Sequence, residues 1–523
     1  KSCITGSFWA YFSLFSIHFM SFAKVFTRSV VGLQAPQVFV EVHLSQGLPA
    51  LTIVGLPEAS VRESKDRVRS ALINSGYEFP NRRLTINLAP ADLPKDGARL
   101  DLPIAMGILA ASGQIDDKVL AQFEFVGELA LNGELRPVSG ALAIARAIKS
   151  SPCDGKPRTL IMPSINADEA VKVGDMTVLA AENLETVCRH LDVVSGISQN
   201  QEHLLSPVTL PSQPQVMQYA YDLADVKGQH HARRALEIAA AGGHSLLFTG
   251  SPGSGKTLMA SRLPSILPPL TDAETLEVAS IYSIAGVNYA FGERPFRAVH
   301  HTISATALVG GGSKPKPGEI SLAHKGAIFL DEIPEFDRKT LETLRQPIES
   351  KQITISRANA QVSFPADFQL IAAMNPCPCG YYGDTTNRCR CRPEQIKKYQ
   401  DKLSGPLLDR IDLHITVPAL PIEDLQNAPK GESSDDVRQR VVAARNMAIA
   451  RQGKANYELT VNELDQFAIL GQKEQQMLKM AQSKLNLSAR SYHRILRVAR
   501  TIADLAASEH IKTAHVAEAL SYR

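Results

Sequence analysis

The octapeptide GSPGSGKT at residues 250–257 constrains this chain more than any other stretch. An apolar run, SLLFTG (245–250), leads into it, and LMASRLPSIL (258–267) leaves it with a helical pattern. Strand, glycine loop and helix in that order build a phosphate cradle. Glycines let the backbone wrap an anion, and the helix start supplies N–H groups and the positive end of its dipole. Gly250, Ser251, Pro252, Gly253, Ser254, Gly255, Lys256 and Thr257 are therefore the expected contacts for ATP. Lys256 is expected to reach the β and γ phosphates, and Thr257 to ligate Mg²⁺.

A second half of the same chemistry follows downstream. GAIFLDEIPEF (326–336) is an apolar strand ending in two acids. Asp331 can hold Mg²⁺ directly or through water, and Glu332 is placed to polarise an attacking water. QLIAAMNP (369–376) is a third dry strand. Its Asn375 either sits between the γ phosphate and the water or serves as a turn residue before Pro376. In SGPLLDRIDLH (404–414), an exposed Arg410 would complete a neighbouring subunit's site as a finger. Its alternative is a local ion pair with Asp409 or Asp412.

At 523 residues the chain is too long for one ordinary core, and its pattern is α/β multidomain. A formal charge of only +3 excludes a global positive field, so any nucleic acid must be held by local patches. Residues 21–195 read as one α/β domain. Strands are expected at 38–46 and 50–56, joined by a short turn, and at 82–90, 124–131 and 158–162. Helices are expected at 60–76, 102–113 and 139–148. Residues 196–222 are rich in Gln, Ser and Pro and read as a linker. The ATPase core runs over 223–420, and 421–523 is helical. Residues 4–19 are apolar and aromatic, too short for a membrane span, with no clear cleavage signal before Met20. The reading adopted is that residues 1–20 hold a non-native or disordered leader and that Met20 starts the protein; a secretory signal is the alternative.

Seven cysteines include a cluster, Cys377, Cys379, Cys389 and Cys391, within 15 residues. An odd total with one tight cluster argues against a secreted disulfide scaffold and for a reducing, cytoplasmic setting. Four thiolates in two C-x-C pairs suit one structural Zn²⁺, although the pairs are tighter than the usual spacing; four reduced thiols are the alternative.

With these motifs in place, the sequence resembles the magnesium-chelatase-like AAA+ ATPases of the YifB/ComM family over almost its whole length from Met20. GSPGSGKT, GAIFLDEIPEF, AAMNPCPCG and LSGPLLDRIDLH match as blocks, and YDLADVKGQHHARRALEIAAAGGH (221–244) matches the stretch near the adenine. The resemblance implies a P-loop AAA+ core with a parallel sheet and a C-terminal helical lid. It makes Asn375 sensor 1 and Arg410 the arginine finger. In LSARSYHRILRVARTIADL (487–505) it makes Arg490 the sensor 2 phosphate contact, with Arg494 as substitute. FRAVHHTISATALVGGGSKPKPGEISLAHKG (296–326) is similar to the helix-2 insert of the chelatase and MCM clade, and KQITISRANAQVSFPADF (351–368) to its pre-sensor 1 hairpin. Lys314, Lys316 and Arg357 on these loops are candidate DNA phosphate contacts, or ordinary solvated charge.

The N-terminal domain resembles the Lon protease fold. LAPADLPKDGARLDLPIA (88–105) is similar to its PKDG segment, and VGELALNGELRPVSGALAIA (126–145) to a later one. Arg99 stands where that family carries its serine and Leu142 near its lysine, so proteolysis is not expected. The family implies a homo-oligomer, a hexameric ring, acting as a helicase or translocase on single-stranded or branched DNA, with no membrane partner. The alternative is a chelatase-like motor for metal insertion or protein remodelling.

Overall fold

The computed structural model describes residues 22–56, 59–95, 97–153, 155–210, 219–312, 315–357, 360–383, 388–419, 429–485 and 487–523. The leader expected over 1–20, Lys314 and residues 211–218 of the expected linker lie outside the described residues, as does the side chain of Arg357. The chain divides into two compact units, one up to Ser212 and one from Gln213. Among the described residues no helix is long and apolar enough to cross a membrane.

The first unit holds β1 (Phe22–Arg28), β2 (Gln37–Ser45), β3 (Ala50–Val54) and β4 (Arg83–Ala89). Along β2, Val38, Val40, Val42 and Leu44 alternate inward, the period of a half-buried strand. The two strands expected to be joined by a short turn are not partners. The sheet order is β1-β2-β4-β3, with β4 antiparallel to β2 and parallel to β3. The helix Ser64–Asn74 carries the chain from β3 back to β4, and a parallel pair requires such a crossover. The helix expected over 60–76 is broken at Glu63, where Ser64 and Arg67 turn to bond Asp101. The helix Asp101–Ala111 is buried at every residue, and a side chain at Gly107 would come within 2.6 Å of Val42 Cγ2. The strand expected over 124–131 is two pieces, Phe123–Phe125 and Glu128–Leu129, and a side chain at Gly127 between them would meet Leu135 Cδ2 at 2.8 Å. A three-stranded parallel sheet, β5 (Phe123–Phe125), β6 (Thr159–Pro163) and β7 (Val178–Ala181), completes the unit.

The first part of the expected linker is not free chain. Leu205 N–H donates to His190 Nδ1 at 3.1 Å and Val208 N–H to the Val178 carbonyl at 2.9 Å. Burial holds the His190 pKa down, which keeps its ring neutral and able to accept.

The second unit contains β8 (Leu246–Gly250), β9 (Phe296–Val299), β10 (Ala327–Leu330), the hairpin β11 (Gln352–Arg357) and β12 (Ala360–Pro365), β13 (Gln369–Met374) and β14 (Leu413–Val417). Five of them form an all-parallel sheet in the order β9-β10-β13-β8-β14. The middle strands β10 and β13 are buried throughout, as a doubly covered parallel sheet demands. The run expected as one helix over 258–267 is two pieces, Lys256–Ala260 and Leu263–Ile266. Pro264 cannot donate to the ladder and its ring would clash with the Ala260 carbonyl.

The C-terminal helices Ser434–Gln452 and Ala489–Leu505 are not a detachable cap. Val437, Val441, Ile495 and Val498 belong to the same continuous core as Leu246, Phe248, Leu413 and Ile415. Each such fully buried side chain contributes about 1.5–3 kcal/mol of transfer free energy.

Candidate nucleotide site

Because the sheet is parallel, all of its strand ends lie at one edge and all of its strand starts at the other. β8 ends in the glycine loop, β10 in Asp331 and β13 in Asn375, so three separate motifs converge at the first edge. Gly250 lies opposite Val417, and a side chain there would meet the Val417 carbonyl at 2.4 Å. Gly253 and Gly255 have φ of 77° and 91°, the left-handed region that favours glycine.

Lys256 is buried, and its ammonium donates to the carbonyls of Gly250 (2.8 Å) and Ser251 (3.0 Å) and to Asn375 Oδ1 (3.2 Å). Burial lowers its pKa, while Asp331 and Glu332 push it back up. Thr257 Oγ1 donates to Asp331 Oδ2 at 2.6 Å, which brings the two expected Mg²⁺ ligands together. A cation taking both oxygens would replace that one hydrogen bond. Glu332 is exposed with φ of 49°, a left-handed conformation that costs a non-glycine residue about 1–3 kcal/mol. Ser254 Oγ is buried without a partner.

The two arginines lie elsewhere. Arg410 precedes β14, at the edge where strands begin, so the length of the sheet separates it from its own P-loop. It is not the exposed residue expected, nor does it pair with Asp409 or Asp412. It is buried, donating to the Pro406 carbonyl at 2.6 Å and bridging to Glu349 at 2.7 Å. The cause is Glu349, at the end of the helix Arg345–Ser350, a carboxylate that sequence spacing does not connect to residue 410. Arg490 also bonds Glu349, at 2.9 Å, and so shares that edge. Arg494 bridges to Asp412 at 2.5 Å. Burial raises the Asp412 carboxyl, but Arg494 and His244 overcome it and hold it below the usual range.

The same edge carries a polar node. Asp367 accepts from Lys325 Nζ (2.8 Å) and the Tyr457 hydroxyl (2.7 Å), and Lys351 Nζ lies 3.6 Å away. Lys351 also bridges to Glu458 at 2.9 Å. Lys351 and Asp367 flank the hairpin, and Tyr457 and Glu458 come from the C-terminal helical region. The cavity among them, about 70 Å³, is too small for a nucleotide.

The sulfur atoms of Cys377, Cys379, Cys389 and Cys391 all lie within 4.8 Å of one another, with separations of 3.3, 3.7 and 3.8 Å among the first three. A tetrahedral zinc with Zn–S bonds of about 2.3 Å needs sulfur–sulfur edges of about 3.8 Å, so the donor set fits. The backbone N–H groups of Tyr381 and Arg390 point at the Cys379 sulfur and bring its thiol down to about 6. A side chain at Gly380 would lie 2.6 Å from Pro252 Cδ, so this loop rests directly on the P-loop. Glu349 and Gly380 were missed in the sequence. The only signal was the glycine between two motifs. Lys316 is exposed in a short ladder opposite Gly311.

Family models describing magnesium chelatase subunit ChlI match residues 40–166 and 222–425, and one for its C-terminal region matches 431–523. The chain is 52% identical over 512 residues to the competence protein ComM of Haemophilus influenzae, covering 96% of this chain and 98% of that protein. It is 49% identical over 509 residues to YifB of Salmonella typhimurium, covering 96% and 97%. It is 25% identical to the magnesium-chelatase 67 kDa subunit of Heliobacterium mobile over 198 residues, 32% of this chain and 30% of that protein.

Proposed function

The chain belongs to the YifB/ComM family of magnesium-chelatase-like AAA+ ATPases, and on that premise we propose that it is a ring-forming, ATP-driven DNA helicase or translocase that promotes branch migration. The observation that carries the reading is the polarity of the sheet. Lys256, Thr257, Asp331, Glu332 and Asn375 sit at one edge, while Arg410 and Arg490 sit at the other, held by one carboxylate. A subunit so built completes its phosphate chemistry with a neighbour's arginines, and a hexameric ring closes such head-to-tail contacts. The competence assignment in the Haemophilus relative's name supports a role with DNA.

In this reading Lys256 and the loop amides bind the triphosphate of ATP, and Asn375 and Glu332 orient the water. Thr257 and Asp331 would hold Mg²⁺, which supplies charge neutralisation between the phosphate oxygens. Arg410 and Arg490 of one subunit would leave Glu349 for the phosphates of the next, stabilising charge that develops in the transition state. Cys377, Cys379, Cys389 and Cys391 would hold a structural Zn²⁺, with no position open for water. Lys314, Lys316 and Arg357 would grip DNA phosphates, and the thiol content favours the cytoplasm.

For the N-terminal unit, the reading as a Lon-protease-like domain rests on the sequence resemblance, and Arg99 and Leu142 make it non-proteolytic. Arg99 Nη1 donates to the Ser139 carbonyl at 3.2 Å, at the turn that opens the helix Ala141–Lys149, in which Leu142 is buried. Neither side chain is a nucleophile or a base.

The test is ATPase activity with and without single-stranded and forked DNA, joined to fork unwinding and to mixing of variants. DNA should stimulate hydrolysis, and strands should separate only with ATP. Lys256→Ala and Arg410→Ala, each inactive alone, should recover activity when mixed. No recovery would remove the shared site, and no effect of DNA would remove the helicase.

A further inference from the structure

The cysteine knot presents a second feature that the nucleotide site does not use. Between Arg388 and Lys402 there are six basic residues against two acidic ones, Glu394 and Asp401. That is a larger net charge than the +3 of the whole chain. The run R-C-R-C-R alternates strictly, and so does its exposure: Arg388, Arg390 and Arg392 are exposed, while Cys389 and Cys391 between them are half-buried. Drawing the two sulfurs toward one point leaves the three arginines that alternate with them exposed to solvent. The helix Pro393–Gln400 continues the patch with exposed Lys397 and Lys398. The Arg388 guanidinium lies 4.4 Å from the Tyr381 ring centre, and the next residue, Tyr382, is 53% exposed. Lys402 lies 3.3 Å from Glu335, on the far side of the helix from the cysteines in sequence.

We infer that the cysteine knot is a comb for a single-stranded nucleic acid, with Arg388, Arg390 and Arg392 taking successive backbone phosphates and Tyr382 offering a face to a base. Evenly repeated cations with an exposed aromatic ring suit a flexible polyanion whose bases are unpaired. The contact of Gly380 with Pro252 places the comb on the P-loop, so a strand seated there bears on the loop that holds ATP. The inference rests on the proposal that the protein acts on DNA, and it names a contact distinct from Lys314, Lys316 and Arg357.

The experiment measures fluorescence anisotropy of a labelled oligothymidylate against the full chain between about 50 and 200 mM salt. Three variants are compared with wild type: R388A/R390A/R392A, R388K/R390K/R392K and Lys316→Ala. The alanine triple should bind about tenfold or more weakly at low salt, and its log–log salt slope should fall by about 2, since each phosphate contact on a single strand contributes about 0.7. The lysine triple should keep the slope, because counterion release counts charges and not forks. ATPase activity without DNA should stay within twofold of wild type in both. An alanine triple that binds with unchanged affinity and slope overturns the comb while leaving DNA action intact. So does a loss of DNA-free ATPase in the alanine triple. Wild type that binds no oligonucleotide overturns the proposed DNA function together with the comb.

Discussion

The Asp367 node and the phosphate loop, at opposite edges of the central sheet, are built to opposite standards. At the strand-start edge every charge of the node meets an opposite one: Asp367 has Lys325 and Lys351, and Lys351 has Glu458. At the strand-end edge Lys256 is held by two backbone carbonyls and an amide, and Ser254 Oγ has no partner. A buried network whose members satisfy one another fixes a packing arrangement. Neutral acceptors around a buried ammonium are a placeholder that a polyphosphate outcompetes. The Asp367 node stabilises the molecule, and the phosphate loop is kept ready for a ligand.

The largest expected effects separate these roles. Lys256→Ala should lower kcat for ATP by roughly 10³-fold, with the melting temperature moved by less than about 3 °C, read by phosphate release and calorimetry. Asp367→Asn should do the reverse. It leaves the half-buried Lys325 and Lys351 with only Glu274 and Glu458 to answer them and takes the acceptor from Tyr457, which costs about 1–3 kcal/mol in urea unfolding, while ATPase of the folded fraction stays within a few fold. If both substitutions hit activity and stability alike, the comparison fails.

Acidity sharpens it further. Burial raises the Asp367 carboxyl, but Lys351 and Lys325 outweigh it and leave the pKa below the ordinary value; Asp412 is also lowered. A carboxyl lowered on folding contributes stability that is present above its unfolded pKa and lost as pH falls through the folded one. The urea midpoint should therefore fall progressively as the pH drops below about 5, and Asp367→Asn should flatten that fall. At the other edge the sign concerns binding: the lowered ammonium of Lys256 should weaken ATP binding at a less alkaline pH than a free lysine would. The smallest effect is expected at the cysteine knot. Elemental analysis should find one zinc per chain, and its removal should raise KM for ATP a few fold, through Gly380 on Pro252.

What could be read in the sequence was local. GSPGSGKT, the acids of GAIFLDEIPEF and the hairpin around RANA each carry their geometry in adjacent residues, and the hairpin pairs Gln352 with Pro365 as that pattern requires. What escaped was long-range. Nothing in the order of residues says that Glu349 gathers Arg410 and Arg490, or that Tyr457 reaches Asp367 across 90 positions. Ion pairs between distant segments have no periodicity to detect. The strand order of the first unit was hidden for the same reason, since β4 enters between β2 and β3 from outside the window in which those two look like a pair.

The separation of Lys256 from Arg410 has a genetic consequence. If the arginines serve the next copy around the ring, a protomer lacking Arg410 harms a centre it does not own while keeping its own phosphate loop intact. A copy lacking both groups silences two centres for one lesion. Such an allele, expressed beside the normal one, would be dominant over it, and more so as the number of copies per ring rises.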